Sequence, residues 1–92
     1  MQKQNVYEIK ISDEYIAKYN LVTQANSKKE MIYGVGIELY DKANVLKTQN
    51  YINKVTDSYS KVMKIIDKLA QKTVTPISLT YVIDEIYDSV EN

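Results

Sequence analysis

The spacing of apolar residues changes once along this chain, near Asn53, from every second residue to every third or fourth. Period two marks strands covered on one face, and a spacing of three to four marks helices with one buried stripe. The switch predicts one layer of sheet backed by a helical pair. Segment 31–39 alternates most cleanly, with Met31, Tyr33, Val35, Ile37 and Leu39 all on one face, which places this strand centrally. Over 15–23, Tyr15, Ala17, Tyr19 and Leu21 alternate with Lys18 and Asn20, while Ile16 and Val22 interrupt the pattern.

Asn26-Ser27-Lys28-Lys29 is a polar cluster that closes a hairpin between these strands. Asp41-Lys42-Ala43-Asn44 plays the same role before a strand over 45–52. Upstream, Tyr7, Ile9 and Ile11 alternate with Val6, Glu8 and Lys10 and turn at Ser12-Asp13, as a separate strand or as one that runs into the next. Tyr59, Val62, Ile65, Ile66 and Leu69 then form the stripe of a helix over about 58–72, with Thr56 or Asp57 as its cap. Pro76 suits the first position of a second helix over about 76–90, with Thr75 before it as cap and Leu79, Val82, Ile83, Ile86 and Val90 on its buried face. No repeat, low-complexity tract or linker divides the sequence. Residues 1–92 therefore read as a single α+β domain: an antiparallel β-meander of three to four strands over about 6–52, then two amphipathic helices packed on one face of the sheet.

Composition removes several function classes. With no cysteine there are no disulfides, thiolate nucleophiles or zinc-thiolate sites. With no histidine, the usual general base near neutral pH and the commonest transition-metal ligand are missing, and so are Ser/His and Cys/His nucleophilic arrangements. Twelve lysines balance twelve carboxylates without any arginine, so net charge gives no broad attraction to nucleic acid or anionic lipid. Phe and Trp are absent, which leaves nine tyrosines to supply aromatic packing at the core's edge or in an interface. The first residues are polar and no apolar run approaches the ~20 residues of a membrane span, so a cytoplasmic location is expected.

Three constellations carry what functional signal there is. Asp84, Glu85, Asp88 and Glu91 lie opposite the apolar stripe of the second helix; they read as a solvated face, with no metal or other cofactor assigned. Lys61, Lys64, Lys68 and Lys72 form a basic stripe on the first helix, to be neutralised by acidic groups of the second helix or of a second copy. The alternative is a nucleic-acid surface, against which the lack of arginine and of interleaved aromatics speaks. Gly34 and Gly36 flank Val35 inside a strand, with no helix following, so they read as a bare strip against which another backbone or side chain docks. They share a face with Ile16, Val22, Ile32 and Tyr40, the face that the helices leave uncovered. These residues form a candidate interaction surface, and self-association as a dimer or tetramer is expected from it.

Two segments carry a family resemblance: Tyr33-Gly34-Val35-Gly36-Ile37-Glu38, and Val74-Thr75-Pro76-Ile77-Ser78-Leu79 running into Val82-Ile83-Asp84-Glu85-Ile86. They resemble the Tyr-Gly-Ile strand and the Ser-Pro-Ile-His-Leu helix start of a small clostridial domain family of unknown function. The likeness spans roughly residues 15–87 and departs at Gly36 and at Ser78, where that family often has His, so no ligand role carries over to Ser78. The resemblance implies no catalytic residues. It implies a place in spore-forming bacteria and, through one member linked to entry into sporulation, a protein that restrains or tunes that decision. The expectation is a non-enzymatic cytoplasmic regulator acting through contacts with another protein. A nucleic-acid-binding regulator and a small-molecule sensor with tyrosines lining its pocket are the alternatives.

Overall fold

The structure, a computed structural model, describes residues 1–90. Strands β1 (Gln2–Lys10), β2 (Tyr15–Ala25), β3 (Met31–Asp41) and β4 (Leu46–Thr56) precede helices α1 (Tyr59–Gln71) and α2 (Pro76–Ser89). The sheet is an antiparallel meander in the order β1-β2-β3-β4, with β2 and β3 central. The upstream segment is a separate strand, and it begins at Gln2 rather than near Val6. The last strand starts at Leu46 and continues past Ile52 to Thr56. Both extensions adjoin register shifts, between Asn5 and Tyr7 in β1 and opposite Tyr33 to Val35 in β4, where alternation breaks although pairing resumes.

Side-chain acceptors close the two predicted hairpins. Asn26 Oδ1 accepts from the N–H groups of Lys28 (2.9 Å) and Glu30 (3.0 Å), and Asp41 Oδ1 accepts from those of Ala43 and Val45 (both 2.9 Å). Each turn also needs one residue in the left-handed region, Lys29 at φ 62° and Asn44 at φ 65°.

Because β4 reaches Thr56, the cap of α1 falls later than expected, at Ser58, whose Oγ accepts from the Lys61 N–H at 3.1 Å. Neither Thr56 nor Asp57 caps the helix; Thr56 Oγ1 accepts from the Ser58 N–H instead. Tyr59, expected on the buried stripe, is 56% exposed. As the first helical residue it reaches over the end of β3 and meets Tyr33 edge-on, with ring centroids 5.6 Å apart. Thr75 takes the cap position of α2 by its backbone, but its hydroxyl donates to Ser78 Oγ (3.2 Å) and makes no cap bond; Pro76 begins the helix as expected. Val90 lies just past the helix end and stays buried.

At the end of α1, the Val74 N–H bonds to Leu69 O (3.0 Å) and the Thr73 N–H to Ala70 O (3.1 Å), the paired closure that needs a left-handed residue between helix and exit. That residue is Thr73, at φ 48°. A β-branched side chain is disfavoured there, where glycine is usual. Thr73→Gly is therefore expected to raise stability by about 1 kcal/mol, read from the midpoint of chemical unfolding.

The core lies between the helices and one face of the sheet. Ala17, Tyr19 and Leu21 of β2 and Val35 and Ile37 of β3 meet Val62, Ile65, Ile66 and Leu69 of α1 and Leu79, Ile83 and Ile86 of α2. Tyr19 is fully buried, which a tyrosine tolerates only with a partner for its hydroxyl. It donates to Val74 O at 2.9 Å, tying the sheet to the junction between the helices, and burial pushes its phenol up to about 12.

Candidate functional site

Residues directly opposite one another in an antiparallel sheet share a face. On the face away from the helices, the register sets Ile16 opposite Tyr40, Lys18 opposite Glu38, Asn20 opposite Gly36 and Val22 opposite Gly34. All six residues expected to form an interaction surface, Ile16, Val22, Ile32, Gly34, Gly36 and Tyr40, stand on this face. Val22 and both glycines are buried, and Ile16, Ile32 and Tyr40 are half-buried.

The chain itself covers the glycine strip. A Cβ on Gly36 would lie 2.1 Å from Cδ1 of Tyr51, the residue across from it in β4, so the tyrosine ring rests on glycine backbone. A Cβ on Gly34 would lie 2.2 Å from the carbonyl oxygen of Ile52 and 2.5 Å from that of Asn53. There the approach is by the β4 backbone, at the register shift between Tyr33 and Val35. Each glycine thus admits a different neighbour: a ring at one and a displaced strand at the other.

Beside this strip, Glu38 gathers a polar cluster. Only 5% of the residue is exposed, although it lies on the face that the helices leave uncovered. Lys3 of β1 reaches across β2 to place Nζ 2.7 Å from Oε2, and it also donates to the Tyr51 hydroxyl at 3.1 Å. Tyr51 donates to Oε2, and Tyr40 donates to Oε1 at 3.2 Å. Lys18 closes the flank, with Nζ 4.5 Å from the centre of the Tyr40 ring and 3.7 Å from Glu8. Asn20, 2% exposed, lies close enough to favour the charged carboxylate without reaching full hydrogen-bond geometry, and its Nδ2 has no other acceptor among the described residues.

The electrostatics follow from these contacts. Burial pushes the Glu38 carboxyl upward, but the hydrogen bonds from Lys3 and Tyr51 and the nearby Asn20 amide outweigh it and hold the group at about 2. The same contacts raise the Lys3 ammonium, chiefly through the Glu38 bond. Tyr51 is raised by burial first and by Glu38 second, with Lys3 pulling the other way. The cluster is therefore an ionised carboxylate among protonated donors across neutral pH, with both of its oxygens occupied.

The four predicted lysines follow α1. Lys61 and Lys68 are half-buried, and Lys64 and Lys72 are exposed. Lys61 turns to α2, its Nζ 3.5 Å from the centre of the Tyr87 ring, so an aromatic face meets this lysine. Asp84, Glu85 and Asp88 are exposed on α2, and Glu91 lies outside the described residues. Among the described residues, no group of three or more acidic side chains is placed to hold a metal ion. No helix among them is long and apolar enough to cross a membrane.

Sequence reasoning did not single out Lys3, Asn20, Glu38 or Tyr51 as a cluster. One signal was present: Glu38 is the only charged residue of 31–39, and it lies on the same face as the two glycines. What that signal lacked was the partner, since Lys3 is 35 residues away and reaches Glu38 across an intervening strand.

An antiparallel meander backed on one face by two helices, with its polar cluster knitted into the other face, defines a small α+β domain. The chain belongs to the family of unknown function DUF6514, whose model matches residues 2–89. Comparison with curated proteins and with solved structures gives no match.

Proposed function

We propose that this protein is a small non-enzymatic regulator that works by protein contact as a homo-oligomer, dimer or tetramer, in the cytoplasm. The observation that carries this reading is the Glu38 cluster, in which Lys3, Tyr40 and Tyr51 converge on one carboxylate. Its carboxylate is held ionised, buried and hydrogen-bonded on both oxygens, which suits a structural tie and ill suits proton transfer near neutral pH. What remains outward is recognition surface: Ile77 is 75% exposed and Tyr81 84% exposed, one turn apart on α2. The resemblance of the 33–38 and 74–86 segments to a family with a member linked to sporulation supplies the process, restraint of the decision to form spores.

A strain lacking the gene is expected to sporulate earlier or more often than its parent, and restoring the gene should return the parental frequency. Parental timing and frequency across several media would overturn the reading. The nucleic-acid alternative is weakened by the acidic residues Asp84, Glu85 and Asp88 on the helix beside the lysine stripe, which repel phosphate.

A further inference from the structure

The helix layer carries opposite charge on its two helices. Over 59–72, Lys61, Lys64, Lys68 and Lys72 set against Asp67 leave three positive charges, while Asp84, Glu85 and Asp88 leave α2, which holds no lysine, with three negative ones. The chain as a whole has a formal net charge of zero, so copies do not repel one another at long range. On α2, Ile77, Tyr81, Asp84 and Asp88 follow one another at helical spacing along a single exposed face, opposite buried Leu79, Ile83 and Ile86. Apart from Met1, Ile77 and Tyr81 are the most exposed large apolar side chains described. Isolated apolar residues on a surface need no explanation, but a pair one turn apart, continued by acids, forms an apolar anchor with a charged rim.

We infer that the occupant of this face is a second copy of the chain, docked helix layer to helix layer so that α1 of each copy lies over α2 of the other. A two-fold contact of this kind is self-complementary: whatever one copy offers, the other returns. With opposite charges on neighbouring helices, it sets basic against acidic twice, and it covers Ile77 and Tyr81 of both copies. A basic partner of another kind would complement the net negative charge of α2 but not the net positive charge of α1, which favours the second copy. A layer two helices wide and about 20 Å long is a small interface, so association in the micromolar range is expected.

This inference rests on the reading that the chain works by contact as a homo-oligomer, and the test separates the two. Sedimentation equilibrium on the full chain at about 100 µM should give the dimer mass at low salt, with weaker association at high salt. Lys64→Glu with Lys68→Glu makes both helices acidic, and Asp84→Lys with Asp88→Lys makes both basic. Each double variant alone is expected to self-associate at least about tenfold more weakly, as like charges then face each other. An equimolar mixture is expected to restore a dimer holding one copy of each, because every contact is again between opposite charges. Thermal unfolding of each variant confirms that it is folded; if either is not, Tyr81→Ser is measured in its place and should weaken the dimer alone. A wild-type monomer under these conditions would overturn the inference together with the self-association it builds on. A dimer indifferent to both charge reversals, or to Tyr81→Ser, would overturn this interface alone.

Discussion

Gly34→Ala is expected to be among the most damaging single substitutions in this protein, lowering stability by about 3–4 kcal/mol. The added methyl would sit 2.2 Å from Ile52 O, 2.5 Å from Asn53 O and 2.6 Å from the Asn53 carbonyl carbon, all backbone atoms of β4. No rotamer change relieves such a clash. The strand would have to move at its register shift, where Ile52 packs against the core. Gly36→Ala meets a different obstacle, the Tyr51 ring, with the nearest ring carbons at 2.1 and 2.2 Å. The ring can swing aside at the cost of its hydrogen bond to Glu38, and the expected loss is about 1–2 kcal/mol. In a Tyr51→Ala background the Gly36→Ala cost should shrink, whereas the Gly34→Ala cost should not. Denaturant unfolding of the two double-mutant cycles separates the cases. A fully stable Gly34→Ala would mean that the β3 to β4 register is wrong.

The second large effect concerns Glu38. Glu38→Ala is expected to cost about 2–4 kcal/mol at neutral pH, because it leaves the Tyr51 and Tyr40 hydroxyls without their acceptor and Lys3 without its carboxylate, and opens a gap beside the buried Asn20. Lys3→Met should cost under about 1 kcal/mol: the lysine side chain is 55% exposed, and the carboxylate keeps its two tyrosine donors. The pH dependence has a definite sign. Glu38 ionises at about 2 in the fold against an ordinary value of 4.5, so the unfolded chain takes up the proton first as pH falls. Its contribution is complete above the unfolded value and is lost between about 4.5 and about 2. Tyr51 and Lys3 are shifted upward, so their share is complete below their ordinary values and is lost as pH rises past them. Urea midpoints across acid pH should fall more steeply for the wild type than for Glu38→Gln, and parallel curves would refute the assignment.

These two effects also mark where sequence reasoning stops. The order of elements and the core face of β2 and β3 are legible, since alternation in 31–39 and the helical stripes are strong signals that packing did not override. The opposite face is legible only as a list. Alternation places Gly34, Gly36, Ile16, Val22 and Tyr40 together, but it says nothing of what covers them. That depends on cross-strand register, which three irregularities displace, between Asn5 and Tyr7, Tyr33 and Val35, and Leu39 and Tyr40. A carboxylate in a strand reads as a solvated residue until the register brings Lys3 and Tyr51 to it. The Ser58 cap is hidden for a related reason: β4 runs on through Asn53, Lys54, Val55 and Thr56, where a lone apolar residue gives no period-two cue.

The centre of the sheet's second face is closed from within, by Lys3, Tyr40 and Tyr51 over an ionised Glu38. An NMR titration of the side-chain carboxyl carbons tests it directly, with Glu38 assigned by loss of its signal in Glu38→Gln. The expected result is a Glu38 signal that stays in the ionised form through mild acid and titrates only at about 2. A Glu38 carboxyl that titrates at the ordinary value of 4.5, together with the exposed acids, would contradict the closed face and the structural role assigned to the cluster.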